Sequence, residues 1–267
     1  MWAEAFSPDG QVLATANDDD TVQLWYRTTG RRIATLGQHR GRVRSVAFSP
    51  DGESVATGCD DGKARIWDVG DATCRLTLEF HTDRVYSVAF SPDGELLASA
   101  SNDGTAAIWA TATGERLQTL TDASDGPAGR LWSAAFSPTG EALATSGDDL
   151  VVRLWDPKTG RLRCTLAAHT RRVWQVAFSP DGTLLASAGD DGTVRLWDVA
   201  DPDAGRLHLT LLSLRDGWAA LSPDGRYKLE GDAAGQFWHV LGTCRFEPGE
   251  LDAYLTQVRR VAAEAPF

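Results

Sequence analysis

"HTDRVYSVAFSPDGELLASASNDGTAAIWATATGERLQTL", residues 81–120, decides the fold. Within it "RVYSVAF" and "LLASAS" are short runs of apolar and small residues, each closed by turn chemistry. Between them stands Ser91-Pro92-Asp93-Gly94. Proline pre-sets the first turn dihedral, aspartate bonds its own backbone, and glycine relaxes the exit. Asn102-Asp103-Gly104 is a second tight turn before "TAAIW", and "TATG" is a third before "ERLQTL". Four strands and three turns in about 42 residues make one antiparallel up-and-down sheet, without helical periodicity.

The unit recurs. "FSPDG" stands at 6–10, 48–52, 90–94 and 178–182, with "FSPTG" at 136–140 and "LSPDG" at 221–225. The six starts lie 42, 42, 46, 42 and 43 residues apart. One such sheet cannot bury both faces, so copies must stack, and twisted four-stranded sheets around an axis close into a propeller. The expected fold is all-β, a β-propeller of six four-stranded antiparallel blades over residues 1–247, with "FSPDG" the corner between each innermost strand and its neighbour. Residues 248–267 form a C-terminal extension in which Leu251, Tyr254, Leu255, Val258 and Val261 recur at helical spacing. It reads as a short helix docked on the propeller, or one that binds a partner.

Composition narrows the class. The chain has 267 residues, 42% of them hydrophobic and 24% charged, the balance of a globular domain. No apolar run approaches the ~20 residues of a membrane span, and residues 1–30 carry no signal-peptide pattern. Cys59, Cys74, Cys164 and Cys244 show no paired spacing and read as reduced thiols of a cytoplasmic protein. A formal charge of -11 opposes non-specific binding to nucleic acid or anionic membranes. No metal-ligand spacing or nucleophile elbow is present, so no metal, cofactor or catalytic residue is expected.

The third strands carry "LWY" at 24–26, "IWD" at 66–68, "IWA" at 108–110, "LWD" at 154–156 and 196–198, and a degraded "FWH" at 237–239. On these marks residues 1–245 resemble the WD-repeat β-propellers. The resemblance implies a buried hydrogen-bonded set of His, Ser or Thr, Asp and Trp in each blade. It would be His39, Thr57, Asp61 and Trp67 in the second repeat, and His81, Ser99, Asp103 and Trp109 in the third. The fifth would hold His169, Ser187, Asp191 and Trp197. A buried His and Asp are tolerable only inside a satisfied network, and a buried Trp contributes a gross ~4–6 kcal/mol at ~25 cal/mol/Å². The first repeat has no His, the fourth has Pro127 at that position, and the sixth keeps Asp232 and Trp238 alone. Two closures stay open: six blades complete the ring, or the chain is the C-terminal part of a longer propeller. Residues 217–255 also look like the ends of WD-repeat regions in bacterial multidomain signalling proteins, which would make this a sensor region.

Aligned on "FSP", the repeats place Arg42, Arg84, Arg130, Arg172 and Arg215 six residues before the aromatic or leucine. Four residues before it stand Trp2, Arg44, Tyr86, Trp132 and Trp174, with Trp218 one place later in the sixth. Propeller symmetry would gather them on one rim. Singly, each arginine reads as a solvated edge residue or a partner of a turn carboxylate such as Asp60 or Asp190. Together, arginines with Trp and Tyr have the composition of binding hot spots, and guanidinium forks match carboxylate and phosphate. The expected function is therefore a non-catalytic protein- or peptide-binding scaffold or sensor whose rim recognises an acidic or phosphorylated partner. An axial enzyme or binder of a small anion, and a nucleic-acid-binding propeller, are the alternatives.

Overall fold

The computed structural model of the protein describes residues 3–121, 129–231, 239–241, 244–246, 248 and 259–262. The first sheet comprises β1 (Ala3–Phe6), β2 (Val12–Ala16), β3 (Val22–Tyr26) and β4 (Arg32–Leu36). The second comprises β5 (Val43–Phe48), β6 (Ser54–Cys59), β7 (Lys63–Asp68) and β8 (Cys74–Glu79). The third runs β9 (Val85–Phe90), β10 (Leu96–Ser101), β11 (Ala106–Ala110) and β12 (Arg116–Leu120), and the fourth β13 (Leu131–Phe136), β14 (Leu143–Gly147), β15 (Val151–Trp155) and β16 (Leu162–Ala167). The fifth begins with β17 (Val173–Phe178), β18 (Leu184–Gly189), β19 (Thr193–Asp198) and the long β20 (Arg206–Leu214). Within each, neighbours pair antiparallel in sequence order, as an up-and-down meander requires.

Each Ser-Pro-Asp-Gly corner is closed by its own atoms. In the second repeat the Gly52 amide donates to the Ser49 carbonyl at 2.9 Å, and the Glu53 amide to the Asp51 carboxylate at 2.9 Å. Ser49 Oγ accepts the Ser54 amide at 2.9 Å. Gly52 sits at φ +77°, a region where a β-carbon is strained, which is why glycine closes every copy of the motif. A carbon built on Gly52, Gly94, Gly140 or Gly182 would meet the preceding repeat's proline Cδ at 3.4–3.5 Å. The corners therefore stack in register from sheet to sheet.

The cores lie between sheets. Ala14, Ala16, Val22, Leu24 and Leu36 of the first sheet pack on Val43, Val46, Val55 and Trp67 of the second. The same scheme recurs between the second and third, third and fourth, and fourth and fifth sheets. Trp67, Trp109, Trp155 and Trp197 are 1–4% exposed as a result. Two faces remain open. On the first sheet Phe6 and Tyr26 are 55% and 39% exposed and Trp25 is only half-buried. On the fifth sheet Val194 is 37% exposed where Val22, Ala64, Ala106 and Val152 are at 0%.

Among the described residues the sixth repeat does not form a sheet of its own. After Leu214 only Arg215 and Asp216 intervene before β21 (Gly217–Leu221), which pairs with β20 as a tight hairpin, Leu214 facing Gly217. β22 (Arg226–Glu230) continues the same sheet. Two causes are visible. Leu36, Leu78 and Leu166 are each followed seven positions later by the buried Val43, Val85 and Val173, whereas Leu211 is followed by Asp216 only five positions on. The linker is too short for the crossover, and a carboxylate stands where a buried valine would anchor the inner strand. The short strands β23 (His239–Leu241) and β24 (Cys244–Phe246) form a separate hairpin. The expected C-terminal helix is also corrected where its residues are described. β25 (Arg259–Arg260) pairs parallel with β22, and the Val261 amide donates to the Tyr227 carbonyl at 2.8 Å. The unpaired edge of β22 offers backbone partners that a helix would leave unmet. Residues 251–258 lie outside the described residues.

Candidate functional site

Each buried set is built from the loop before the inner strand, the second and third strands, and the turn that joins them. In the third repeat His81 Nε2 lies 2.8 Å from Ser99 Oγ, which also accepts Trp109 Nε1–H at 2.9 Å. His81 Nδ1 meets Asp103 at 3.2 Å and Thr105 Oγ1 at 3.0 Å. In the fifth repeat His169 joins Ser187 at 2.8 Å and Asp191 at 3.0 Å, and Trp197 donates to Ser187 at 2.8 Å. Both carboxylates are held ionised. Burial would raise Asp191, but hydrogen bonds from Thr193, the Thr170 amide and His169 outweigh it and bring it to about 2. Asp103 is lowered in the same way.

The second repeat departs from the expected set. His39 Nε2 meets Thr57 at 2.9 Å and Trp67 donates to the same hydroxyl at 3.0 Å. Asp61 instead forms a bidentate pair with Arg65 at 2.7 and 3.2 Å, and His39 Nδ1 is buried without a hydrogen-bond partner. In this repeat the arginine four residues after the aspartate takes the carboxylate as a bidentate fork, whereas in the fifth Arg195 stays 3.7 Å from Asp191, which remains with His169. Ala107 stands at that position in the third repeat, which leaves Asp103 to His81. Arg153 pairs with Asp149 in the fourth repeat, and Arg195 lies 3.7 Å from Asp191 in the fifth. The recurrence of Arg at Asp plus four was a readable signal of this competition. Pro127, Asp232 and Trp238 lie outside the described residues.

At the start of the inner strands the backbone sets up a rim. The carbonyls of Arg42, Arg84, Arg130 and Arg172 accept the amides of Asp60, Asn102, Asp148 and Asp190 at 2.8–2.9 Å. Each arginine thus begins its strand beside a polar turn residue. Arg84 Nε is 3.8 Å from Asp60, Arg130 Nε 3.9 Å from Asp148, and Arg172 Nε 3.3 Å from Asp190 and 4.0 Å from Asp148. These guanidiniums stay 42–55% exposed, so the contacts orient them more than they neutralise them. Arg44, more deeply set, makes a bidentate pair with Asp60 at 2.8 Å, and that bonding raises its pKa.

Inside this ring the aromatics pack in a row, tilted against one another by 35° and 54°. Tyr86 and Trp132 have centroids 4.3 Å apart, and Trp132 and Trp174 4.7 Å. Arg44 covers the outer side of Tyr86 at 6.0 Å, and Arg172 that of Trp174 at 5.2 Å. Trp132 Nε1–H donates to Asp148 at 2.7 Å and Trp174 Nε1–H to Asp190 at 3.1 Å, which locks both indoles. Beneath the row, Ser45, Ser87 and Ser133 accept the Val88, Ala134 and Val176 amides of the next inner strand at 3.0–3.3 Å. The result is a cavity of about 460 Å³ with an aromatic wall and a hydroxyl floor.

Two expected members of the rim are elsewhere. Arg215 lies in the β20–β21 turn, and Trp218, on β21, donates to Glu230 at 2.9 Å. Strands β18, β19 and β20 separate them from the inner strand β17, because β21 pairs with β20 and extends the fifth sheet at its outer edge. Trp2 lies outside the described residues. The bridging serines were not singled out from sequence, although Ser stands three residues before Phe in repeats two to four. Among the described residues no group of three His, Cys, Asp or Glu could hold a metal, and no helix is long and apolar enough to cross a membrane.

A comparison with protein families matches the WD domain, G-beta repeat, over residues 2–26, 30–68, 72–110, 114–156 and 160–198. These five segments cover well over half of the chain. The first spans β1–β3, and each later one joins the outer strand of one sheet to the first three strands of the next, so the sequence repeat is offset by one strand from the sheets. No curated protein matches it.

Proposed function

The chain belongs to the WD-repeat family, whose domains serve generally as protein-interaction scaffolds, and from that premise we propose that it is a non-catalytic peptide-binding module working through the rim of its inner strands. One observation carries the reading: the continuous row Arg44–Tyr86–Trp132–Trp174 on the wall of the cavity, its rings packed at a tilt and its far end covered by Arg172. Locked aromatics lose little freedom on binding, and Trp, Tyr and Arg dominate interface energetics.

The partner is an acidic or phosphorylated segment. Arg84, Arg130 and Arg172 approach Asp60, Asp148 and Asp190 at 3.3–4.0 Å and stay about half-exposed, so guanidinium groups remain on offer on a chain of formal charge -11. The half-exposed forks of Arg84, Arg130 and Arg172 offer donors to carboxylate or phosphate. The likeness of residues 217–255 to the ends of bacterial multidomain signalling proteins supports a sensor role in the cytoplasm of a bacterium. The test is an array of acidic, phosphorylated, neutral and basic peptides probed with wild type and an Arg84→Glu/Arg172→Glu variant of unchanged Tm. Anionic peptides retained by wild type alone are the expected outcome. Equal retention by both proteins, or no preference for anionic peptides, refutes the rim as the site.

A further inference from the structure

We propose that Leu150 and the groove beside it form a specificity pocket for an apolar side chain next to a carboxylate in the partner peptide. This rests on the rim reading and extends it.

The turn between the second and third strands needs a left-handed residue. Gly62, Gly104 and Gly192 fill it at φ +77°, +82° and +77°, and Asp20 at +61°. In the fourth repeat the position holds Leu150 at φ +73°. A γ-branched apolar residue is poorly suited to that region, where Asp tolerates it and Gly is at ease. Burial does not compensate, since Leu150 is 38% exposed. Strain kept on an exposed apolar side chain is the pattern of a residue held for contact with something else.

Its surroundings say what that is. Leu150 lines a groove of about 410 Å³ with Asp148, Thr170, Arg171, Arg172 and Asp190. The two aspartates are those that accept the indole N–H groups of Trp132 and Trp174, so the groove continues the rim outward. Its donors also suit an anion. Arg171 and Arg172 line it and match its two aspartates, and Arg130 lies 3.9 Å from Asp148. Asp148 and Asp190 are thus already faced by guanidiniums, and the forks' remaining donors are open to an anion. A chain laid across the rim with its anion on the arginines would place a neighbouring apolar side chain on Leu150.

Two peptides test this, each a central residue flanked by glutamates, leucine in one and serine in the other. Affinities are measured by fluorescence anisotropy for wild type, Leu150→Gly and Arg84→Glu/Arg172→Glu. Wild type should prefer the leucine peptide by about tenfold. Leu150→Gly should lose that preference while its Tm rises by about 2–4 °C, because the strain is gone. An unchanged preference, a lower Tm in Leu150→Gly, or no binding of either peptide by wild type overturns the proposal. Loss of both peptides in the charge-reversed variant with full preference in Leu150→Gly leaves the rim reading standing and removes the groove. Unaltered binding in the charge-reversed variant removes the rim reading itself.

Discussion

Acidification should weaken this fold through His39. The ring is 8% exposed, its Nδ1 has no hydrogen-bond partner, and the aspartate that would accept from it is bound to Arg65. Burial first, and then the positive charge of Arg65, lower its pKa from 6.5 to about 4. In the unfolded chain the imidazole takes up its proton near pH 6.5, and in the folded chain near 4. Between those values the unfolded state binds the extra proton, so stability is intact above pH 6.5 and is lost as pH falls toward 4. From pH 7 to about 4.5 the loss is about 2 kcal/mol, from linkage applied to that interval. The assay is urea denaturation of wild type and His39→Gln at both pH values. Glutamine keeps a polar group for Thr57 but cannot titrate, so its stability should fall by about 2 kcal/mol less than that of wild type. Parallel losses in the two proteins would refute the reasoning and show that His39 is solvated or paired in the folded state.

Two further outcomes follow from packing and backbone geometry. Trp67→Ala should cost about 3–5 kcal/mol, and Trp25→Ala markedly less, because Trp67 is 1% exposed inside a core while Trp25 is half-buried on the open face of the first sheet; urea midpoints of the two variants check the order. Gly94→Ala should cost about 1 kcal/mol, since its φ of +74° is kept and a β-carbon there is strained. Thermal unfolding measures it, and an unchanged Tm would mean that the corner can adopt another turn.

Part of this molecule is legible in any one repeat. The Ser-Pro-Asp-Gly corner, the strand lengths and the buried tryptophan are set by local dihedral preferences and by the spacing of apolar residues, and both act within about 42 residues. The convergence of Tyr86, Trp132 and Trp174 followed from the same period, because equal repeats place equal positions on one axis. What the tertiary structure decided is which neighbour each group meets. Asp61 turned from His39 to Arg65, and the rim arginines met Asp60, Asp148 and Asp190 of their own and adjacent repeats. The sequence names the competitors for each carboxylate, but which one reaches it depends on side-chain distances that only the packed sheets set. Arg65 closes on Asp61, whereas Arg195 stays 3.7 Å from Asp191 and leaves it to His169. The fate of the sixth repeat was of the same kind: its motif is present, but two missing linker residues and Asp216 in place of a buried valine left it as an extension of the fifth sheet. A turn motif specifies a corner through its own backbone, whereas a blade exists only if the chain can cross back to the axis and bury what it brings there.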